Sequence, residues 1–344
     1  MSHLFQFVFG NRRLMLALAL AICGLGIFAL RQLPIDAVPD ITNVQVMVNS
    51  KTGSLSPEQI ERQVTFPIES ELNGIPGVSE IRSLSKFGLS QVVVVFQSSV
   101  DIYWARSQIF ERLQAVELPT GIVAELAPIT TGLGEVVMYT VEAKEGSALW
   151  KMPDMQRLIR LREIQERIIR PEMRRIEGVA DVDTNGGYRK EVHINVLPSK
   201  LREHGMTILD LKHAVDTIGE NVGGGYIQEE GSQIIVGVSA AVDKVSDLEN
   251  FPVKVGFGGR TIRLKDVAEI RIESGLRVGA ATENGHESVL GTILMRSGAS
   301  SRTVASVAVD RLKAMSLPDE AFIAIHYDRS FLVDTTIRTV TKSL

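Results

Sequence analysis

The residue most open to chemistry is Glu135, a carboxylate set between Gly132-Leu133-Gly134 and the apolar run Val136-Val137-Met138. A charge entering an apolar strand is costly unless it is paired, solvated or turned into a cavity. Two readings stand for it: a ligand for a hard or borderline divalent cation, or an ordinary solvated strand end. Met152 and Met155 form an M-x-x-M pair that would suit Cu(I), but adaptable packing at a helix start is the favoured role. His3, His193, His204, His213, His286 and His326 are scattered, with no H-x-x-x-H pair and no neighbouring cysteine. Gly223-Gly224-Gly225 lacks a following Lys-Ser/Thr, so it reads as a flexible or hairpin turn and not a phosphate loop. Gly132-Leu133-Gly134 is half a dinucleotide fingerprint, but it leads into a strand instead of opening a helix. With no nucleophile, base or metal cluster assembled, an enzyme is the most distant of the readings.

Composition narrows the classes further. Net charge is −4 and aromatics make up 6%, so neither a basic surface nor a base-stacking platform argues for nucleic acid. The single Cys23 excludes an intrachain disulfide framework and a cysteine-based zinc site. A length of 344 residues is a prior for two or three domains.

These residues must be positioned by elements, the first of which concerns a membrane. Leu14–Leu30 carries no charge, Arg12 and Arg13 precede it, and Arg31 follows. The run is at the short end of the spanning range, and its basic flank places the N-terminus in the cytoplasm. A cleaved signal peptide fits less well, because the run is long for one and no A-x-A site follows. Pro34 to Pro39 then reads as an extended exit from the membrane.

Val44, Val46 and Val48 alternate with polar residues as in a half-buried strand. Ser56-Pro57-Glu58-Gln59 writes a capping box, opening a helix with the stripe Ile60, Val64, Ile68 and Leu72. Pro67 inside that stripe predicts a kink or an early end. Val78–Ser85 and Gln91–Gln97 read as a hairpin turning at Phe87-Gly88, with Val92–Phe96 covered on both faces. Asp101 caps a second helix through Ile102, Ala105, Ile109, Leu113 and Val116, and Ile122–Leu126 supplies a last strand. The order is β-α-β-β-α-β, a ferredoxin-like plan.

The plan recurs. Ile75-Pro76-Gly77-Val78 matches Ile176-Glu177-Gly178-Val179, each followed by a strand and a glycine-containing turn. The second copy is interrupted after Gly186-Gly187 by an inserted subdomain, with a helix near Thr207–Ile218. Its deferred half is Glu287–Met295, the helix Arg302–Met315 and Phe322–His326. An inserted subdomain explains this span better than a long structureless loop.

Several stretches resemble the heavy-metal efflux permeases of the resistance–nodulation–division superfamily. They are Leu33-Pro34-Ile35-Asp36-Ala37-Val38-Pro39-Asp40-Ile41-Thr42-Asn43, Thr65-Phe66-Pro67-Ile68-Glu69 and Asn73-Gly74-Ile75-Pro76-Gly77-Val78. Ser83-Leu84-Ser85-Lys86-Phe87-Gly88-Leu89-Ser90-Gln91-Val92, Asp101-Ile102-Tyr103 and Thr131-Gly132-Leu133-Gly134-Glu135 continue the match. The wording is that of the cobalt–zinc–cadmium and copper–silver type.

The resemblance implies an α+β chain with one N-terminal transmembrane helix (1–33) and two ferredoxin-like βαββαβ porter subdomains. The first would be 34–133; the second, 134–188 with 277–330, would be interrupted by an α+β docking subdomain at 189–276. Residues 331–344 would lead towards a second transmembrane helix, so the chain is expected to be an N-terminal fragment. The implied activity is proton-driven export of heavy-metal cations, divalent Zn, Co, Cd or Ni first, with the cation as cargo and no resident cofactor. The implied setting is a homotrimer in the inner membrane of a Gram-negative bacterium, with most of this chain periplasmic. A periplasmic adaptor and an outer-membrane channel would be its partners. By the same resemblance Glu135 faces the metal path, and Gly223, Gly224, Gly225 and Tyr226 belong to a hairpin that reaches a neighbouring protomer. A multidrug permease of the same superfamily and a membrane-anchored binding or sensor module are the alternatives.

Overall fold

The computed structural model describes residues 12–32, 36, 42–53, 55–218, 222–229, 232–238, 244–255, 261–275, 277 and 279–343. The chain divides into two compact units. One comprises Met1–Met152, Ile164–Gly186 and Ala281–Leu344, the other Pro153–Glu163 and Gly187–Ala280. Helix α1 (Arg12–Gln32) encloses the uncharged Leu14–Leu30 run. Leu14, Leu16, Leu20, Ile22, Leu25 and Phe28 are exposed on it, Leu16 and Leu25 by 67%. Taken over the described residues, no helix is long and apolar enough to cross a membrane. The Pro34–Pro39 exit lies outside the described residues apart from Asp36.

Strand β1 (Gln45–Lys51) buries Val46, Val48 and Ser50 on one face, as its alternation requires. Ser56 then caps helix α2 (57–72) in a reciprocal box: Gln59 N–H donates to Ser56 Oγ (3.3 Å), and Ser56 N–H to Gln59 Oε1 (3.0 Å). Pro67 does not end this helix early. The chain runs as α-helix over Pro57–Ile60, as wider π-helix over Glu61–Thr65, and as α-helix again over Phe66–Leu72. A proline lacks an N–H and its ring crowds the carbonyl four residues back; a π turn just before it widens the helix there. Ile60, Val64, Ile68 and Leu72 stay fully buried throughout.

Strands β2 (Val78–Lys86) and β3 (Leu89–Phe96) form the hairpin, with Lys86 opposite Leu89. Gly88 turns it at φ 78°, a left-handed conformation that glycine adopts without strain. In β3, Val92, Val94, Val95 and Phe96 are buried while Val93 is half-buried, so cover on both faces holds only at the strand's end. Helix α3 (Ile102–Leu113) is capped by Asp101, which accepts from Trp104 N–H at 2.9 Å. Strand β4 (Ala124–Leu126) completes an antiparallel sheet ordered β2-β3-β1-β4.

A second passage begins with β5 (Glu135–Ala143), helix α4 (154–174) and β6 (Val179–Gly186). Helix α4 repeats the earlier device: a π segment, Gln165–Ile169, ends two residues before Pro171, as Glu61–Thr65 ends two before Pro67. The duplication thus extends to a local irregularity.

The other unit follows. It contains β7 (Lys190–Val196), α5 (Pro198–Glu203), α6 (Ile208–Asp216), β8 (Val222–Glu229) and β9 (Ser232–Val238). Strands β10 (Pro252–Val255), β11 (Thr261–Arg263) and β12 (Ala268–Ser274) close it. β7 pairs with β12, β8 with β9 and β10 with β11, all antiparallel. Leu201, Met206, Leu211, Ile262, Leu264 and Val267 make its core.

The interrupted sheet resumes with β13 (Ala281–Glu283), β14 (His286–Met295), helix α7 (Ser301–Ala314) and β15 (Ala321–Asp328). β5 lies between β15 and β14, and both β6 and β13 pair with the far side of β14. Substituting β15, β5, β14 and β6 for β4, β1, β3 and β2 reproduces the order of the first sheet. Helix α8 (Arg329–Ser343) is the last described element.

Candidate functional site

Glu135 stands at the first position of β5, exposed, where a tight turn delivers the chain into the second sheet. Gly134 N–H donates to Thr131 O at 3.0 Å, closing the turn, and Gly134 O accepts from Met295 N–H at 2.7 Å, docking it on β14. A side chain at Gly134 would put its Cβ 2.1 Å from Thr130 Oγ1 and 3.0 Å from Thr131 O, so it would displace the Thr130 hydroxyl and crowd the turn. The carbonyl before it, Leu133 O, accepts from Nη1 of Arg329, the first residue of α8. Arg329 is 5% exposed, and its Nε and Nη2 reach Asp36 Oδ1 at 3.1 and 3.0 Å. The Glu135 carboxylate itself makes no side-chain hydrogen bond or ion pair among the described residues. It is an exposed side chain on a turn whose backbone is held at Leu133 and Gly134.

No three His, Cys, Asp or Glu side chains converge on a metal-sized site among the described residues. His193 lies between Glu191 (Nε2, 3.3 Å) and Glu273 (Nδ1, 3.4 Å), whose carboxylates face opposite ring nitrogens and cannot share one ion through them. His326 Nε2 is 2.8 Å from Thr140 Oγ1 and 3.8 Å from Glu283. His286 meets the Trp150 ring edge-on. Met152 and Met155 are each about two-fifths exposed near the start of α4, consistent with a helix-start position. Cys23 is free and exposed on α1.

Gly223, Gly224, Gly225 and Tyr226 are not the turn their composition predicts. They lie within β8, where the register to β9 shifts between Gly223 and Tyr226, and the chain reverses between Glu229 and Ser232 instead. A glycine run inside a strand marks a bulge, because it has no side chains to pack and bends readily.

Sequence reasoning missed two polar constellations that the second sheet assembles. Tyr139, fully buried, donates to Gln165 Oε1 at 3.0 Å, and Gln165 donates to Thr184 Oγ1 at 3.3 Å. Burial pushes the Tyr139 hydroxyl well up, beyond any physiological titration. Close by in sequence, Arg170 pairs with Glu166 (2.9 Å) and Asp181 (3.2 Å). Burial pushes the Asp183 carboxyl up, the charge of Asp181 adds to that, and Arg170 pulls it back. A groove of about 580 Å³ opens beside Asp181, with Tyr103, Arg106, Glu125, Arg174 and Arg296 on its walls. Its mixed charge makes no cage for a cation. Arg106 spends its donors on backbone, 2.5 Å to Ala127 O and 3.4 Å to Leu126 O. Only the i, i+4 spacing of Glu166 and Arg170 was a signal for any of this.

Known proteins share both sequence and fold. Residues 4–344 match the AcrB/AcrD/AcrF family. Protein HelA of Legionella pneumophila is 42% identical over 350 residues, covering 100% of this chain and 33% of that protein. The cobalt-zinc-cadmium resistance protein CzcA of Cupriavidus metallidurans is 40% identical over 352 residues, covering 100% of this chain and 32% of that protein. A crystal structure of a heavy metal efflux pump superposes with a TM-score of 0.83 at 29% identity, over 97% of this chain and 33% of that one. The chain thus spans about a third of the relatives it matches.

Proposed function

The chain belongs to the AcrB/AcrD/AcrF family, and from that premise we propose that it forms the N-terminal, largely periplasmic part of a proton-driven permease exporting heavy-metal cations. The observation that carries this reading is the 40% identity to a cobalt-zinc-cadmium resistance protein along the whole of this chain. The pump is read as a homotrimer in the inner membrane of a Gram-negative bacterium, working with a periplasmic adaptor and an outer-membrane channel. Helix α1 is its first membrane span. The uncharged Leu14–Leu30 run with its basic flanks and exposed Leu16, Leu20 and Leu25 support this reading, since such side chains suit lipid better than water.

The two sheets, each with the same strand order, are the two ferredoxin-like porter subdomains, 34–133 and 134–188 with 277–330. The stretch inserted in the sequence, 189–276, is the docking subdomain, and its β8–β9 ribbon is the arm that reaches a neighbouring protomer. Opening and closing between porter subdomains would alternate access for the cargo. Glu135 contacts the passing cation. A lone carboxylate on a rigid turn holds a divalent ion weakly, which suits a cargo that must be released, whereas a closed set of three or four ligands would retain it.

Complementation tests the reading. A metal-sensitive host lacking its own pump, carrying the full-length gene, is plated on zinc, cobalt, cadmium, nickel, copper and silver. Restored tolerance to at least one is expected; tolerance to none, with the protein present in the membrane, removes the metal assignment. Restored tolerance to bile salts or dyes alone would favour the multidrug alternative.

A further inference from the structure

Arg329 and Asp36 lie 293 positions apart in sequence and meet in a charged contact that is almost wholly enclosed on the arginine side. The guanidinium spends Nε and Nη2 on the Asp36 carboxylate and Nη1 on Leu133 O, two residues before Glu135. These three anchor points have different origins. Asp36 follows α1 by four residues, Leu133 sits in the Thr131–Glu135 turn, and Arg329 opens α8. Asp36, four residues beyond α1, and Arg329, the first residue of α8, are therefore joined to the backbone that presents Glu135.

The other fixings of that turn are local or come from β14: Gly134 N–H to Thr131 O, and Met295 N–H to Gly134 O. The guanidinium links the turn to Asp36, beyond α1, and to the start of α8. A planar fork presents separated donors to a carboxylate and a carbonyl in fixed directions, a geometry that the compact ammonium of lysine does not reproduce.

We propose that Arg329 is the positioning residue of the Glu135 metal contact: paired with Asp36, it holds the Leu133 carbonyl and thereby sets where the Glu135 carboxylate meets the cation. The inference rests on the reading of Glu135 as a cargo ligand. Arg329 touches no metal in this scheme and acts through the turn.

The test is a double-variant cycle on the complete transporter, reconstituted in proteoliposomes with an imposed proton gradient. Transport of Zn²⁺, Co²⁺, Cd²⁺ and Ni²⁺ is measured against metal concentration for wild type, Arg329→Lys, Glu135→Gln and the pair. Each single change is expected to raise KM about tenfold, the low end for losing a ligand's supporting hydrogen bond, with kcat less affected. The double variant is expected to match Glu135→Gln alone, because Arg329 then has no carboxylate to position. A merely structural role would instead lower kcat or protein yield and multiply with the Glu135 effect, and that result overturns the proposal. If Glu135→Gln leaves KM unchanged, the reading of Glu135 falls and this inference with it. If Glu135→Gln raises KM but Arg329→Lys multiplies it further, only the inference falls. Should Arg329→Lys fail to accumulate, Asp36→Asn carries the same cycle, since it breaks the pair while leaving the guanidinium in place.

Discussion

Gly291 occupies the middle of β14 directly opposite Tyr139 of β5, and its replacement by alanine should be among the costliest single-methyl changes in the chain. A Cβ there would lie 2.3 Å from Tyr139 Cζ, 2.5 Å from its hydroxyl oxygen and 2.6 Å from Cε2. Relief requires the ring to swing, but Tyr139 and Gln165 are both fully buried and joined by the 3.0 Å hydrogen bond. Overpacking alone costs about 1–3 kcal/mol, and a buried acceptor left unpaired on Gln165 costs about 1–3 kcal/mol more. A total near 3 kcal/mol is expected, or a fall of roughly 6–12 °C in apparent melting temperature for a domain of this size. The assay is thermal unfolding of the purified, detergent-solubilised transporter in a four-variant cycle: wild type, Gly291→Ala, Tyr139→Leu and both. Tyr139→Leu is destabilising by itself because it opens a cavity. In that background, however, Gly291→Ala should be neutral or gain about 0.4–1 kcal/mol through lower unfolded-state entropy. Equal costs of Gly291→Ala in both backgrounds would refute the claim that the ring dictates the glycine.

Loss of the cap oxygen in Asp101→Ala should cost about 1 kcal/mol through α3, seen as a small melting shift that Asp101→Ser largely recovers. Glu135→Gln should reduce divalent-metal tolerance without lowering membrane protein level; unchanged tolerance takes Glu135 out of the metal path. Asp183→Asn should stabilise the protein at neutral pH. The folded carboxyl titrates above its unfolded value, so ionisation is unfavourable in the fold, and that cost fades as pH falls through the folded value towards the unfolded one. Melting curves of wild type and variant should therefore diverge at pH 7 and converge towards pH 4; divergence that grows on acidification contradicts the assignment.

Local rules made much of the fold legible. The Val46/Val48 alternation, the Ser56–Gln59 box, the Asp101 cap and the Phe87-Gly88 hairpin each depend on neighbours within a few residues, and each is where the pattern places it. The repeat was legible because two loops share a glycine turn, but its clearest sign was not: the paired π segments before Pro67 and Pro171 have no residue code of their own. Pro67 predicts a kink or an early end, yet a π segment precedes it and the helix continues to Leu72. Gly223–Gly225 was read as a turn because composition cannot distinguish a bulged strand from a reversal. At the site, Glu135 could be picked out from its setting. Its mount could not, since Arg329, Asp36 and Met295 reach it across most of the chain and only the folded backbone brings them together. Tyr139, Gln165 and Gly291 escaped notice for the same reason.

Metal export itself is tested most directly by following the cation. Cells expressing the full-length gene, and cells carrying the empty vector, are loaded with zinc, cobalt, cadmium or nickel, and cell-associated metal is measured over time. The expected result is faster loss of at least one metal from cells with the intact gene, abolished when the proton gradient is collapsed. Equal retention of every metal in both strains would contradict the transport reading.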